Sequence, residues 1–440
     1  MKHTFKLTAL SALLCAHAYA DPVYQPPGPN LTYGSSSNNQ SIMSSIANPA
    51  AAAAVLINES SQYRAGIISI GGGYEFGKVD NLYKTIDDTK TKLAAQTVDT
   101  TTLTTTAAIA TYLNDNLVTP VNSVTTALQQ DGKASVYFSG HVPLTPFVIS
   151  KKGLGGSFVL DANVSAIANL SFISDQMATI NAGDAAVTTA LGTGTYTPAA
   201  NDSTLLVKAA AVGEVGLGYS RPVLSRETGD LTAGVRAKYY QVKLASNTQR
   251  LITSTGAENT FNASQTYASS SGFGLDVGAL WTSKRYRAGA WISNLNKPSF
   301  KYNANNLTGY TSAGVIAQLN TAETYDMKPQ LQLEGAAYSE SQNWVVNAGL
   351  DANAVKDPVG RDFQWATLSA AYATNSWWIP GARAGYRSNR AGSKLSYLTG
   401  GLTMFKALSL DVAYGLDSVT IDGKSAPRSF MANLGVQMTF

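Results

Sequence analysis

The chain has 440 residues, of which only 14% are charged, and its formal net charge at pH 7 is +4. This even balance excludes the concentrated positive surface that a nucleic-acid-binding protein needs, so we expect no nucleic acid partner. With 38 Gly, 22 Tyr and one Cys, the composition suits a transmembrane β-barrel or a periplasmic β-sandwich that holds together without disulfides.

Residues 1–20, MKHTFKLTALSALLCAHAYA, are typical of a secretory signal peptide. Lys2 and Lys6 form its basic start, residues 7–15 form its apolar middle, and the ending AYA is a small-x-small cleavage site. Its removal takes away Cys15, the sole cysteine. Beyond it no apolar run approaches the ~20 residues of a membrane-spanning helix, so we expect an exported chain without a helical anchor.

Segment 21–61 precedes the first predicted strand and contains SIMSSIANPAAAAAVLINES. Asn48 can cap free amides, Pro49 suits the first helical position, and the alanines that begin at Ala50 are strong helix formers. The pattern therefore predicts a short helix. It could fill the barrel as a periplasmic plug, or hatch, or remain a periplasmic tail, and composition leaves both interpretations open.

Segments of alternating polarity recur over residues 62–440 and predict an all-β fold, a transmembrane antiparallel barrel of about fourteen strands. The clearest lie at 205–220, 230–244, 272–281, 285–295, 330–339, 344–353, 381–389 and 408–417. Long connections at 77–133, 171–203, 247–270 and 298–326 alternate with short ones at KKGLGG, 220–229, Ser283–Lys284 and SES. Long loops on one side and tight turns on the other are typical of outer-membrane barrels, with both termini on the periplasmic side.

Ten charged residues fall opposite the apolar faces of their predicted strands. There they can pair in a polar lumen instead of facing lipid, where an Arg or Lys costs ~2–4 kcal/mol near the midplane. These luminal charges are Glu214, Arg236, Lys238, Asp276, Arg287, Glu334, Asp351, Arg383, Arg387 and Asp411.

The last strand, SFMANLGVQMTF, places Phe430, Leu434, Met438 and Phe440 on one apolar face, which we expect to meet lipid. We expect Phe440 to be the signal that the barrel assembly machinery recognises. Because an open sheet edge is not tolerated in hydrocarbon, this strand is predicted to pair with the first one.

Residues 84–130 are rich in Thr and Ala, and Val121 and Leu128 share one helical face. They predict a partly helical extracellular insertion. Farther along, Pro143 and Pro146 in HVPLTPF each remove a hydrogen-bond donor from a strand. They either open a lateral gap in the wall or, more simply, end strand two near the periplasmic turn.

Residues that could support catalysis are sparse. Ser139 and His141 share a strand face, as a nucleophile and its base would, but no third residue is available to orient the histidine. We expect no enzymatic activity. With one histidine and no cysteine beyond the signal peptide, we also expect no metal site and no cofactor.

The order of signal peptide, Asn-Pro-Ala, about fourteen strands and terminal Phe resembles the FadL/OmpP1 family of outer-membrane transporters. That family places the motif at the end of a hatch inside a fourteen-stranded barrel, which implies a hatch role for Asn48, Pro49 and Ala50. The segment WISNLNKP (291–298), together with this motif, resembles the TraF-like conjugal transfer branch, whose members are exported barrels.

The resemblance implies passive, hatch-gated uptake of a small hydrophobic molecule, such as a long-chain fatty acid or a hydrocarbon, across the outer membrane of a Gram-negative bacterium. The outer loops 247–270 and 298–326 are rich in Ser, Thr, Asn and Tyr, which argues against an apolar capture site on them. Two alternatives stay open. One is a surface or conjugation-associated interaction barrel that works through 84–130, and the other is a polar-solute porin.

Overall fold

The computed structural model describes residues 31–32, 41–55, 62–251, 267–321, 323–373 and 376–439. The predicted signal peptide, parts of the predicted plug segment 21–61, and Phe440 lie outside the described residues.

The described strands run from residue 63 to residue 439. They are β1 (Tyr63–Phe76), β2 (Gln96–Thr97), β3 (Ala134–His141), β4 (Phe147–Lys151), β5 (Gly156–Ile173), β6 (Thr195–Tyr196), β7 (Thr204–Arg226), β8 (Gly229–Arg250), β9 (Ala268–Thr282), β10 (Tyr286–Ser293), β11 (Ser299–Lys301), β12 (Thr324–Asp326), β13 (Gln330–Tyr338), β14 (Trp344–Asp351), β15 (Val355–Lys356), β16 (Asp362–Phe363), β17 (Trp365–Tyr372), β18 (Gly381–Asn389), β19 (Ser396–Met404), β20 (Leu408–Gly415), β21 (Ser418–Ile421), β22 (Lys424–Pro427) and β23 (Ser429–Thr439).

The described helices are short. They are α1 (Ser44–Ala47), α2 (Ala51–Val55), α3 (Leu82–Leu93), α4 (Thr106–Leu113), a π-helical turn (Asn114–Val118), α5 (Thr119–Asp131), a 3-10 turn (Lys152–Leu154), α6 (Ala185–Thr193) and α7 (Ala313–Leu319). In the described part of the chain, no helix is long and apolar enough to cross a membrane.

Fifteen strands form one antiparallel sheet that closes into a barrel. Because β3 and β4 both lie between β1 and β5, they share one position in the wall, and the barrel has fourteen positions. The last strand, β23, pairs with β1 from Arg64–Thr439 to Glu75–Ser429. The predicted closed barrel of about fourteen strands, with its last strand paired to its first, is confirmed.

The wall turns its apolar side chains outward. Leu217 on β7 is 58% exposed and Phe273 on β9 is 68% exposed, whereas Glu214 and Asp276 on the opposite faces of these strands are buried. In β23, Met438 is on the outer side and Asn433 is buried on the inner side. This alternation, with period two, gives the barrel an apolar exterior and a polar interior.

The two ends of the barrel differ. At the turn end, short connections join the strands, and β7 and β8 extend well past the turn that the sequence predicted. Residues 220–229, predicted as a loop, instead continue both strands to a tight turn at Glu227–Thr228, with a bulge between Pro222 and Leu224. Paired backbone groups on the exposed ribbon replace the expected loop.

At the opposite, long-loop end, residues 77–133 and 174–203 form a helical cap with its own core. Val121 and Leu128 of α5 are fully buried there, and they pack in one cluster with Leu170 and Phe172 of β5 and Val187 of α6. The short strands β2 and β6 tie the two halves of the cap together. The predicted helical insertion is confirmed, and its apolar helix face is anchored on the barrel wall.

Leu128→Ala should destabilise the cap by ~2–5 kcal/mol, because it leaves a cavity in a closed core. Circular dichroism at the helix band should show a lower melting temperature of the helical signal, while the strand signal is retained. The matched control is the exposed Gln130→Ala on the same helix. Equal melting temperatures for the two variants would contradict the cap core.

Candidate functional site

Residues 41–55, here the luminal segment, lie against the inner surface of the wall. Ile42, Met43 and Ile46 pack with Val148 of β4 and Val159 of β5. Farther along, Ala51 and Ala54 of α2 pack with Leu280 of β9. Each of these side chains is at least nine-tenths buried, so the segment is packed as tightly as a protein core.

The Asn-Pro-Ala motif occupies the turn between α1 and α2. The side-chain amide of Asn48 donates to the carbonyl of Ala279 on β9 at 3.3 Å, and its oxygen accepts from the backbone N–H of Ala50 at 3.0 Å. The predicted helix start at Pro49 is therefore wrong by two residues, since α2 begins at Ala51. Asn48 uses its side chain to fix the turn and to bind the wall.

Two glycines of neighbouring strands make room for this motif. A Cβ atom at Gly234 of β8 would lie 2.2 Å from the carbonyl oxygen of Pro49, and one at Gly278 of β9 would lie 2.3 Å from the side-chain oxygen of Asn48. Contacts this short do not occur between real atoms, so any larger residue would displace the motif. The backbone approach depends on glycine at both positions.

A buried ion network lies beside the motif. Arg236 of β8 pairs with Asp161 and Glu214, and Lys238 pairs with Asp276 at 2.8 Å. The Arg236 guanidinium also donates to the carbonyl of Ile46 in the luminal segment, at 3.4 Å. The network therefore joins β5, β7, β8 and β9 to the luminal segment.

Asp161 was not among the predicted luminal charges. It is fully buried and carries a bidentate pair with Arg236. The signal was present, because Asp161 alternates with the apolar residues Leu160 and Ala162 on β5 in the same way as its predicted counterparts do.

The structure places the ten predicted luminal charges on the inner side, but not in one site. Arg383 and Asp411 form a second pair on β18 and β20, with 2.9 Å between Nε and Oδ1, and Thr32 donates to the same carboxylate at 2.6 Å. Glu334 accepts from Asn347 at 2.8 Å. Of the ten, Arg287 alone is only partly buried. These groups are spread around the wall.

Toward the long-loop end, the lumen is filled by aromatic side chains. This luminal aromatic cluster consists of Tyr137, Tyr240, Phe300, Tyr325, Phe363, Trp365 and Tyr397. Phe300 and Tyr325 come from the loop 298–326, where the sequence composition had argued against an apolar site. Sequence reasoning missed them because two aromatic residues among many polar ones do not reveal that both point inward.

The connection between β10 and β13, residues 294–329, is held over the lumen by Asp202. The carboxylate of Asp202 accepts from the backbone N–H groups of Thr311 and Ser312 and pairs with Arg250 at 2.9 Å. Burial raises the pKa of Asp202, but these donors outweigh burial and hold the pKa below its ordinary value. Lys208 and Glu323 add a second ion pair.

The wall itself is interrupted at its second position. Five residues, 142–146, separate His141 of β3 from Phe147 of β4. The neighbouring strands cover the same distance with fewer residues, three on β1 and two on β5. Val142 and Leu144 are 43% and 61% exposed. Pro143 and Pro146 lie in this break. β3 ends at His141, just before Pro143, and β4 then pairs again with both neighbours, so the wall resumes after the break. A lateral opening at this place stays a prediction.

Ser139 and His141 do not form a hydrogen-bonded pair. Both are buried on the inner side of β3, and among the described residues neither ring nitrogen of His141 has a hydrogen-bond partner. A serine nucleophile needs such a contact to its base. In the same part of the chain, no group of three His, Cys, Asp or Glu residues is arranged to hold a metal ion.

Gly234→Val should displace the Asn-Pro-Ala motif, because its side chain would overlap the Pro49 backbone. With Cys15→Ser as background, the reporter Ala54→Cys is buried and should resist a water-soluble maleimide; Gly234→Val should speed its labelling about tenfold or more. The control is Gly335→Ala, where a Cβ meets nothing within 4 Å. Equal labelling in both variants would contradict the close packing.

Asp202→Asn should loosen the 294–329 connection. At pH 7 we expect about tenfold faster amide exchange in residues 309–319, because a charged acceptor of several hydrogen bonds is lost. Since the pKa of Asp202 is lowered in the folded state, its contribution is present above about pH 4 and is lost as pH falls through the folded pKa. The exposed Asp115→Asn is the control, and exchange unaffected by Asp202→Asn would refute the role of Asp202.

Comparison with known proteins gives one family match. The family model described as "F plasmid transfer operon, TraF, protein" matches residues 45–351, a span that includes the Asn-Pro-Ala motif and WISNLNKP. A search of the curated proteins gives no match.

Several solved structures resemble the fold at low similarity. A Pseudomonas aeruginosa FadL homologue is 12% identical, with 97% of this chain and 98% of that chain covered and a TM-score of 0.43. The Ralstonia pickettii toluene transporter TbuX is 12% identical, with 96% and 98% covered and a TM-score of 0.41. The P. putida toluene transporter TodX is 12% identical, with 90% and 94% covered and a TM-score of 0.40.

These structural similarities are too low to transfer a substrate to this chain. The family match is different, because it spans well over half of the 440 residues, from the luminal segment to β14. The predicted resemblance to the TraF-like branch is confirmed, and the chain belongs to the TraF family.

Proposed function

We propose that this protein is an outer-membrane channel that passes a small hydrophobic molecule and is closed by residues 41–55 acting as a hatch. One observation carries the proposal: the luminal segment is packed against the inner surface of the wall, next to an interior that is lined with aromatic side chains. The chain would reach the outer membrane after export by its predicted signal peptide.

The surface chemistry supports a membrane location. Exposed side chains such as Leu217, Val235 and Phe273 give the wall an apolar exterior, while Arg236, Arg383 and their carboxylates are buried inside. In water, so much exposed apolar surface would cause aggregation. In lipid the same apolar surface is favourable. Each cation that is buried inside also avoids the ~2–4 kcal/mol that it would cost facing lipid near the midplane.

The hatch role rests on how the luminal segment is held. Arg236 contacts Ile46, Asn48 contacts Ala279, and the backbone N–H of Ala53 donates to Ser220 at 2.9 Å. These hydrogen bonds join the segment to strands whose pairing with each other does not involve the segment. The segment can therefore leave the wall without breaking the barrel's own hydrogen-bond ladder, as a hatch requires.

The hydrophobic cargo is inferred from the luminal aromatic cluster. A porin for polar solutes would keep an open, hydrated lumen, whereas here Tyr240, Phe300 and Tyr325 are almost completely buried against one another. Replacing a contact between two aromatic side chains by a contact between a side chain and an apolar ligand costs little free energy. An apolar molecule therefore suits this interior better than a hydrated polar solute does.

The exit for such a cargo would be the break at residues 142–146. Pro143 and Pro146 lack backbone N–H groups, so this part of the wall has fewer hydrogen bonds to open than the rest. Its inner side adjoins Val148, which the luminal segment covers. Movement of that segment would uncover the break and the lumen together.

Deletion of residues 41–55 should raise the single-channel conductance several-fold in planar bilayers, because it removes side chains that fill the lumen. The control is Asp422→Asn, in an exposed turn at the long-loop end. Unchanged conductance after the deletion would contradict the hatch and, with it, the channel proposal.

A role in surface interaction is the second candidate, and the separate core of the cap favours it. Excision of 84–130 would expose Leu170 and Phe172, so a surface substitution is the cleaner test. Tyr112→Ser, at a 41% exposed position, should leave conductance unchanged. A lower frequency of plasmid transfer with that variant would favour the interaction role over the channel.

A further inference from the structure

Arg387 of β18 is a buried cation without a carboxylate in contact. Its side chain is 5% exposed and stacks on the indole of Trp365, with 3.8 Å between the guanidinium carbon and the ring centroid. Among the described residues, no carboxylate lies within ion-pair distance of Arg387, and its Nε has no acceptor.

Two other luminal arginines are arranged differently. Arg236 pairs with Asp161 and Glu214, and Arg383 pairs with Asp411. Burying an arginine costs several kcal/mol unless a partner offsets the desolvation. An unpaired cation inside a membrane barrel is therefore a candidate binding group, and its missing partner is an anion.

The carboxylate whose field reaches Arg387 is Asp351 of β14, and it is already engaged. Its oxygens accept from the backbone N–H of Trp365 at 2.7 Å and from the side chain of Gln332 at 3.1 Å. Tyr137 and Tyr397 are the other titratable groups that interact electrostatically with Arg387. Both are neutral phenols near pH 7, so the guanidinium keeps its capacity for an anion.

Further donors without a partner lie on β17 and β19, the two strands that flank β18. Trp365 Nε1 and Ser369 Oγ on β17 and Thr399 Oγ1 on β19 are buried and lack partners among the described residues. Ser369 and Thr399 both face Gly385, two residues from Arg387 on the inner side of β18. Three neighbouring strands thus turn four donor-bearing side chains toward one patch of the lumen.

We propose that Arg387, Trp365, Ser369 and Thr399 form a binding site for the carboxylate of an aromatic acid. The planar fork of a guanidinium matches two carboxylate oxygens, and hydroxyl and indole donors complete the shell. The aryl ring would lie against Trp365 and Tyr397, whose own rings are 5.9 Å apart. The inference rests on the proposed channel and narrows its cargo from hydrophobic molecules to those with one anionic end.

The test is equilibrium dialysis of the detergent-purified full chain against labelled benzoate, with benzyl alcohol as the uncharged match. We expect benzoate to bind at one site at least tenfold more tightly than benzyl alcohol. Arg387→Gln should weaken benzoate binding about tenfold or more and leave benzyl alcohol unchanged. The matched control is Arg285→Gln, an exposed arginine paired with Glu340 at the turn end.

Folding of the variants is checked by melting temperature. Arg387→Gln removes an unpaired buried charge and should hold or raise the melting temperature, whereas Arg383→Gln leaves Asp411 unpaired and should lower it. Arg387→Lys keeps the charge without the planar fork, so it should retain only part of the benzoate affinity.

The outcomes separate the two proposals. Benzoate binding that Arg387→Gln leaves intact, or equal binding of benzoate and benzyl alcohol, would overturn the anion site while the channel stands. Hexanoate binding as tightly as benzoate would overturn the aromatic preference. The channel itself depends on the conductance after deletion of residues 41–55, which dialysis does not measure.

Discussion

The structure depends on the buried ion network that surrounds Arg236 inside the barrel. Arg236 is buried away from solvent and is stabilised by Asp161, Glu214 and Asp276 from three other strands. Removing one member would leave a buried charge uncompensated. The same guanidinium reaches Ile46, so the network that fixes strand register also positions the luminal segment.

The luminal segment is held by fit as much as by charge. Gly234 and Gly278 let the Asn48–Pro49 backbone approach the wall more closely than any other residue would allow. Such close contacts suit the hatch that we propose, because they hold the segment against the wall without making it part of the strand ladder. At the other end, Asp202 holds the 294–329 connection over the lumen by a similar small set of hydrogen bonds.

Much of this fold could be predicted from the sequence, because inward-facing and outward-facing residues alternate along each strand of a barrel. That pattern gives the strands, the inward charges and the pairing of β23 with β1. It does not reveal which charges pair, because partners such as Arg383 and Asp411 are far apart in sequence. The wall break was one of two interpretations of Pro143 and Pro146, and a strand end was the simpler one, because a proline removes a hydrogen-bond donor in either case. Phe300 and Tyr325 were missed because loop residues have no period that shows where they point.

The most direct test of the account is a reversible lock on the luminal segment. In a Cys15→Ser background, the pair Ala53→Cys and Ser220→Cys would place two thiols where the luminal segment meets β7, since the backbone N–H of Ala53 donates to the Ser220 hydroxyl at 2.9 Å. We expect the oxidised protein to show no channel openings in planar bilayers and the reduced protein to recover them. Openings that are equally frequent in both states would contradict a hatch formed by residues 41–55.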